Sequence, residues 1–444
     1  MRIAFLLRNA YAVGGTIRTT INLAAPVAEL HHVRLVSLVR HQAERPLEPL
    51  LEPPPGAPLT APVDRRRSAA DLTDMASPGA APPVVHFPAG EGLTDRYHRV
   101  AEQRLIDWPA TTGAEAVINA RTGPNVLLAR FGPPGAPHIG QERLRHAGHP
   151  HRLRRRMRRR YPHLDALVTK PRADARARRP GLRLPHGMVG ATPNSGPATA
   201  QPTDGAAKTV VPAGRLTRVK RYNTFVVDAF ARAGAQHPDR SQRIYGEGPE
   251  QGRLATRIGR RGLRGRGRLM GAATPLAPER ATGSISAVTS ALEAFGMTLV
   301  EAMRCDLPVI STGRSHGPHS RREVPHEIPR AGNDGRLNPR DDIRADIRAD
   351  SGALLRLMGD RHLRTRMGAA SRERVAPASA PTRATRNYDR LPTTLRARHD
   401  ARPADVPRRR RNDPAPGSTA LYRATGTLLA RTAPRRLSTR THMS

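Results

Sequence analysis

The chain has 444 residues, with 75 Lys and Arg against 37 Asp and Glu and a formal charge of +38. A hydrophobic fraction of 37 % over this length can fill two ordinary cores. The single cysteine, Cys305, excludes a disulfide framework or a cysteine-rich zinc site and fits a reducing cytoplasm. No apolar run approaches the roughly 18 residues needed to span a bilayer, and Arg8 interrupts Met1–Leu7 too early for a signal-peptide core.

Ile3–Leu7 predicts a buried strand, Gly14-Gly15-Thr16 a turn with a cap, Ile17–Leu30 a helix weakened by Pro26, and Val33–Val39 a second strand. Strand, crossover helix and strand imply a parallel sheet. Residues 45–82 are rich in Pro, Ala and Arg and read as a long loop. Further strands are expected at Pro83–His86, Ala114–Asn119 and Ala166–Thr169, and Arg152–Arg160 is an arginine run. Residues 189–207 lack periodicity and read as a linker between domains 1–188 and 208–375.

Beyond the linker the alternation restarts. Strands are expected at Thr209–Ala213, Gln242–Tyr245, Gly267–Met270, Ile285–Val288 and Pro308–Ile310. Helices are expected at Tyr222–Ala233, Pro249–Ile258 and from Met297. This regularity predicts a doubly wound α/β domain. Two closing helices follow at Gly352–Met358 and Leu363–Ala370; residues 376–395 fit a helix crossing back to the first domain, and 396–444 a disordered basic tail.

Several signals sit at the expected strand ends. Gly214-Arg215-Leu216 is followed by Lys220, one of only three lysines (Lys170, Lys208, Lys220) in a chain whose default cation is arginine. Gly246-Glu247-Gly248-Pro249-Glu250 and Leu269-Met270-Gly271 come next, and then Glu293-Ala-Phe295-Gly296-Met-Thr-Leu-Val-Glu301. A glycine opening a helix leaves outward-pointing N–H groups that favour an anion such as phosphate. A carboxylate on either side of that turn can accept hydrogen bonds from sugar hydroxyls. The spacing suits a ligand that is sugar, diphosphate and nucleoside in one molecule.

This ordered set resembles the donor-binding half of the GT-B glycosyltransferases of family 4, retaining enzymes that use nucleotide sugars. The resemblance covers residues 208–375 well and 1–188 more loosely, through Gly14-Gly15-Thr-Ile-Arg18 and Ile139-Gly140-Gln141-Glu142. It implies an α/β GT-B fold, two Rossmann-like domains facing across a cleft, the first for the acceptor and the second for the nucleotide sugar. It further implies that Arg215 and Lys220 hold the donor diphosphate and stabilise it as it departs, and that Glu293 binds the transferred sugar. Phe295 and Gly296 would offer N–H groups to the distal phosphate, Glu301 would bind the ribose, Gly271 would line the donor site, and Gly14 and Gly15 would let backbone approach the diphosphate. The implied activity is hexosyl transfer without metal or other cofactor, from a UDP- or GDP-linked sugar to a glycolipid, an inositol phosphate or a cell-envelope glycan.

The histidines His146, His149 and His151 lack a carboxylate or cysteine at metal-ligand spacing. The arginines are spread along the whole chain with no aromatic residues interleaved. This favours a GC-rich coding bias over nucleic-acid binding and leaves open peripheral contact with an acidic membrane at the inner face of the plasma membrane. Arg143 follows Gln-Glu where relatives often have histidine, and Arg221 and Asp306 stand at expected glycines. Two alternatives follow: a catalytically impaired protein of the same fold, and a basic membrane- or nucleic-acid-associated protein.

Overall fold

The computed structural model describes residues 1–11, 15–38, 54–61, 86–91, 102–103, 106–108, 112–144, 146–169, 172–182, 184, 188–192, 201–273, 275–290, 297–312, 335–338, 343–379 and 381–401. These form two compact units, one built mainly from residues 1–193 with the chain after Pro381, the other from Asn194–Pro381.

The first unit is one parallel sheet of seven strands: β1 (Arg2–Leu7), β2 (His32–Ser37), β3 (Leu59–Thr60), β4 (Ala116–Asn119), β5 (His138–Glu142), β6 (Ala166–Thr169) and β7 (Val189–Ala191). They lie in the order β3-β2-β1-β4-β5-β6-β7, so the winding reverses between β1 and β4. Ile3 pairs with Val33 on one side and Ala116 on the other. Ile3, Phe5, Leu35, Val117, Ile118 and Ile139 are all buried, as strands covered on both faces require. Helix α1 (Gly15–Ala28) carries Pro26 in its last turn without breaking. Helix α2 (Thr122–Phe131) packs Val126, Leu127 and Leu128 into the core. Helix α3 (His151–Arg160) buries only Leu153 and Met157, four residues apart on one face, and carries seven arginines. Helix α4 (Arg172–Leu182) precedes β7.

Several elements differ from the sequence expectation. The linker expected at 189–207 begins with β7, whose Val189 pairs with Leu167. Helix α11 (Pro381–Asp400) extends past 395, where the tail was expected to begin. It packs on the first unit: Asn387 Nδ2 donates to Thr192 Oγ1 at 3.1 Å, and His399 meets Asp165 at 2.8 Å. Residues 402–444, and 83–85 of the strand expected at Pro83–His86, lie outside the described residues.

The second unit repeats the same winding. Its strands are β8 (Thr209–Val210), β9 (Ser241–Tyr245), β10 (Gly267–Gly271), β11 (Ser286–Val288), β12 (Val309–Thr312) and β13 (Gly335–Asn338). They form two parallel triplets, β10-β9-β8 and β11-β12-β13, joined by a bridge between Val210 and Ile285. The sheet therefore reads β10-β9-β8-β11-β12-β13 and reverses between β8 and β11. Helices α5 (Asp228–Gly234), α6 (Gln251–Arg260), α7 (Ala277–Ala281), α8 (Met297–Arg304), α9 (Ile343–Gly359) and α10 (Arg361–Ser379) complete the unit. Two buried arginines cap the C-terminus of α9. Arg364 donates to the carbonyls of Leu357 and Met358 at 2.6 and 3.1 Å, and Arg240 donates to Met358 O at 2.5 Å. Cations at a helix C-terminus meet its partial negative charge.

Strand β5 was not legible as a strand because it ends in Gln141 and Glu142. Burial would raise the pKa of the Glu142 carboxyl, but Arg178, His149 and Tyr161 hold it at about 2. Arg178 lies 3.5 Å and His149 3.3 Å from it. Thr122 donates to Oε2 at 3.0 Å and Asn125 to Oε1 at 3.2 Å, and the Tyr161 hydroxyl also donates to Oε1. One buried carboxylate thus fastens β5 to α2, to α4 and to the turn after α3. Glu142→Ala would leave Arg178 buried without its counter-charge, and a loss of about 3–5 kcal/mol is expected. Because the folded pKa lies below the ordinary carboxyl value of 4.5, this stabilisation is full above that value and is lost as pH falls toward 2. The advantage of wild type over Glu142→Gln in thermal melts should therefore shrink below pH 4.5; a constant gap down to pH 3 would contradict the ionised assignment.

Candidate functional site

In a doubly wound sheet the ligand crevice lies outside the carboxyl ends of the strands, where the winding reverses. In the second unit that point lies between the ends of β8 and β11. The loop after β8 carries Gly214, Arg215 and Lys220. The loop after β11 begins with Thr289, whose hydroxyl donates to Lys220 O at 2.9 Å. One hydrogen bond therefore ties Lys220 to the reversal point.

Backbone stitching sets the shape of this edge. Gly214 N donates to Tyr245 O at 2.9 Å, Leu216 N to Glu247 O at 2.8 Å, Glu250 N to Leu216 O at 3.0 Å, and Gly246 N to Gly271 O at 2.7 Å. The loops after β8, β9 and β10 thus form one ladder at the carboxyl edge. The approach leaves no room for side chains. A Cβ on Gly246 would lie 2.0 Å from Gly214 O, and one on Gly248 would lie 2.3 Å from Leu216 O. The Gly-x-Gly spacing is a packing requirement of two crossing loops.

Arg215 is exposed beside the fully buried Leu216. Its neighbour Gly214 sits over the ring of Tyr222, whose hydroxyl would be 2.8 Å from an added Cβ; the Lys220 stem would be 3.9 Å away. The structure thus gathers Arg215, Lys220 and Gly271 on the carboxyl edge of one sheet. Glu301 lies in α8, which follows the β11 loop, and it is buried. Its carboxylate lies 3.6 Å from the guanidinium of Arg280, which is also buried. Gly15 opens α1 in the first unit and is exposed, with open space where a Cβ would be. Gly14, Glu293, Phe295 and Gly296 lie outside the described residues.

Three participants were missed by sequence reasoning. Arg280 is one arginine among many, and nothing local marks it as the partner of Glu301. Tyr222 was read only as the start of a helix; residues 222–227 in fact form a π-helical turn, a feature frequent at functional sites. Thr289 follows a correctly placed strand, so its position at the strand end was readable although its contact was not.

The sequence departures also have structural outcomes. Arg221 (φ 55) and Asp306 (φ 58) are the two non-glycine residues with positive φ among the described residues. The chain keeps the left-handed turn at both positions. Asp306 is fastened by Arg372 at 3.1 Å. Arg143 turns toward α1: it donates to Thr20 Oγ1 at 2.8 Å, to Gln141 Oε1 at 3.0 Å and to the Thr19 hydroxyl. Burial lowers its pKa to about 10. It acts as a clamp between the end of β5 and the helix that Gly15 opens. Cys305 is buried, and burial raises its thiol pKa. Among the described residues no group of three or more His, Cys, Asp or Glu side chains could hold a metal ion.

Residues 199–374 match the family described as glycosyl transferases group 1. Over 412 residues the chain is 28 % identical to an exopolysaccharide phosphotransferase of Streptomyces coelicolor; the match covers 90 % of the chain but only 41 % of that relative's length. The fold is similar to the pneumococcal O-GlcNAc transferase GtfA in complex with UDP and GlcNAc, with a TM-score of 0.68 at 12 % identity over 89 % of this chain and 99 % of that one. It is also similar to HepE of Anabaena in complex with UDP and glucose, with a TM-score of 0.64 at 15 % identity over 87 % and 97 % of the two chains. Sucrose-phosphate synthase of Thermosynechococcus elongatus gives a TM-score of 0.66 at 16 % identity over 89 % and 99 %. The fold is GT-B α/β, and the second unit carries the glycosyl transferases group 1 domain.

The loop ladder makes a direct prediction. Gly246→Ala should cost about 1–3 kcal/mol and loosen residues 214–217 in hydrogen exchange, because its Cβ meets backbone that cannot swing away. Gly252→Ala is the control: a Cβ there meets nothing within 4 Å, so this helical position should be neutral or gain up to about 1 kcal/mol. Equal effects at the two positions would argue against the ladder.

Proposed function

We propose that the protein is a retaining, metal-independent glycosyltransferase of family 4 that moves a hexose from a UDP- or GDP-linked donor to a glycan or lipid of the cell envelope. The observation that carries this reading is the placement of Arg215 and Lys220, tethered through Thr289, at the reversal point of a domain that matches glycosyl transferases group 1. The solved neighbours hold UDP with GlcNAc or glucose, which supports UDP as the first nucleotide to try. The name of the Streptomyces relative supports an exopolysaccharide as the acceptor.

In this mechanism the bond from the anomeric carbon to the diphosphate oxygen breaks, and the acceptor hydroxyl oxygen bonds to that carbon on the same face. The hydroxyl proton passes to the departing diphosphate. Negative charge grows on the diphosphate, and in this reading Arg215 and Lys220 stabilise it, with the N–H groups of Phe295 and Gly296 as further donors. Glu293 accepts hydrogen bonds from the transferred sugar. Glu301, 3.6 Å from Arg280, accepts hydrogen bonds from the ribose hydroxyls. Gly271 lines the nucleotide.

A UDP-sugar at saturating concentration should raise the melting temperature of the full chain by several degrees. Lys220→Ala and Arg215→Ala should each weaken binding roughly ten- to hundredfold, since a charge-assisted hydrogen bond is worth about 1.5–3 kcal/mol. Lys220→Ala should also lower kcat by about 10²–10³-fold. No shift with any UDP- or GDP-sugar would refute the donor site, and binding without turnover would favour the impaired alternative.

Helix α3 supports a peripheral membrane contact at the cytoplasmic face. Its Arg160 is pushed below the usual arginine pKa by burial and by Arg130, Arg156 and Arg159, so positive charge is dense on this face. No helix among the described residues is long and apolar enough to cross a membrane. Vesicles containing phosphatidylserine should co-sediment with the protein, and the bound fraction should fall as salt rises. Replacing Arg155, Arg158 and Arg159 with Gln should reduce it; equal binding to neutral vesicles would count against this contact.

A further inference from the structure

Beside the donor edge, and wholly within the second unit, lies an open pocket of about 220 Å³. Its wall includes Thr217, Arg218, Arg221, Tyr222, Glu250 and Arg253. The assigned donor residues Arg215, Lys220, Gly271 and Glu301 do not line it. It is formed where the loop after β8 crosses the start of α6, and the hydrogen bond from Glu250 N to Leu216 O at 3.0 Å holds those walls together.

The turn that builds this pocket puts a side chain where backbone alone would be cheaper. Residues 218–220 make one 3₁₀ turn, and Arg221 N donates to Arg218 O at 3.2 Å. The chain then passes through a left-handed residue, Arg221, at φ 55 and ψ 29. Glycine adopts that conformation freely, whereas an L-residue is strained there by its Cβ. A bulky residue held in such a region is a mark of function rather than of folding economy. Here it adds a third guanidinium to a pocket that already has Arg218 and Arg253.

The chemistry of the wall selects a ligand class. Three arginines line the pocket, and a guanidinium is a planar fork that matches phosphate oxygens. Glu250 is mostly buried and is paired with Arg253 at 3.3 Å. A carboxylate in the wall disfavours a bare polyanion and is of the type that accepts hydrogen bonds from hydroxyl groups. The Tyr222 ring offers an apolar face. The volume is below the roughly 300–1,000 Å³ of drug-sized sites, which suits one phosphorylated sugar unit. We infer that this pocket binds the phosphate-bearing unit of a saccharide, as a subsite separate from the nucleotide-sugar donor site. Tyr222 links the two, because its ring lines the pocket and its hydroxyl lies under Gly214.

The test is calorimetric titration of the full chain with glucose 6-phosphate, in the presence of saturating UDP. Binding should persist with UDP present, be competed by inorganic phosphate, and be absent for glucose. Arg221→Gly should weaken it at least tenfold while keeping or raising the melting temperature, because the left-handed strain is relieved. Arg253→Ala should weaken it similarly, and Arg215→Ala should leave it within twofold. Inorganic phosphate binding as tightly as glucose 6-phosphate would reduce the pocket to a general anion site and overturn the saccharide assignment. Loss of binding on adding UDP, or unchanged affinity in Arg221→Gly and Arg253→Ala, would overturn the subsite. Binding that depends on Arg221 in a protein that ignores UDP would refute the donor reading and leave this one standing.

Discussion

The second unit depends on how closely two loop backbones cross. Gly246 and Gly248 sit against the carbonyls of Gly214 and Leu216 with no space for a Cβ. That crossing lets the loops after β8, β9 and β10 share hydrogen bonds at the carboxyl edge. It places Gly214 over Tyr222, and Thr289 holds Lys220 against the end of β11. The backbone on either side of Arg215 and at Lys220 is therefore fixed by the crossing of loops rather than by a helix or strand of its own.

Part of the arginine excess has a structural use that composition hides. Arg178 neutralises Glu142, Arg280 pairs with Glu301, and Arg240 and Arg364 satisfy carbonyls at the end of α9. All four are buried. A guanidinium carries five donors in a planar fork, so it can satisfy several carbonyls or a carboxylate at once. An arginine-rich sequence can thus use buried cations as hydrogen-bond hubs. Helix α3 shows the opposite use, with its arginines concentrated on the face away from Leu153 and Met157.

The unevenness of what could be read follows from the range of each interaction. The second unit alternates strand and helix with clear apolar runs, so β9, β10, β11 and β12 were legible to within about two residues, whereas β8 ends at Val210 rather than Ala213 and β13 was not expected. In the first unit, β5 and α2 escaped notice because their pattern is broken by Gly140, Gln141 and Glu142 and by Asn125. Those polar residues are buried because they satisfy one another, which no local periodicity reveals. Strand β7 was taken for linker because Val189-Gly-Ala191 is too short and too small to stand out; only the edge of β6 makes it a strand.

Local patterns were enough to specify two α/β domains, the donor-type order of motifs, and the placement of Arg215, Lys220 and Gly271 at strand ends, because strand polarity and glycine turns are encoded within a few residues. Tertiary structure decided the rest. It turned Arg143 toward α1, gave Arg280 to Glu301, tied Lys220 to Thr289, and forced Arg221 through a left-handed turn into the wall of a basic pocket. Each of these depends on which side chains from distant segments arrive at the same place, and in a chain with so many arginines the residue type alone does not identify the one that will be there.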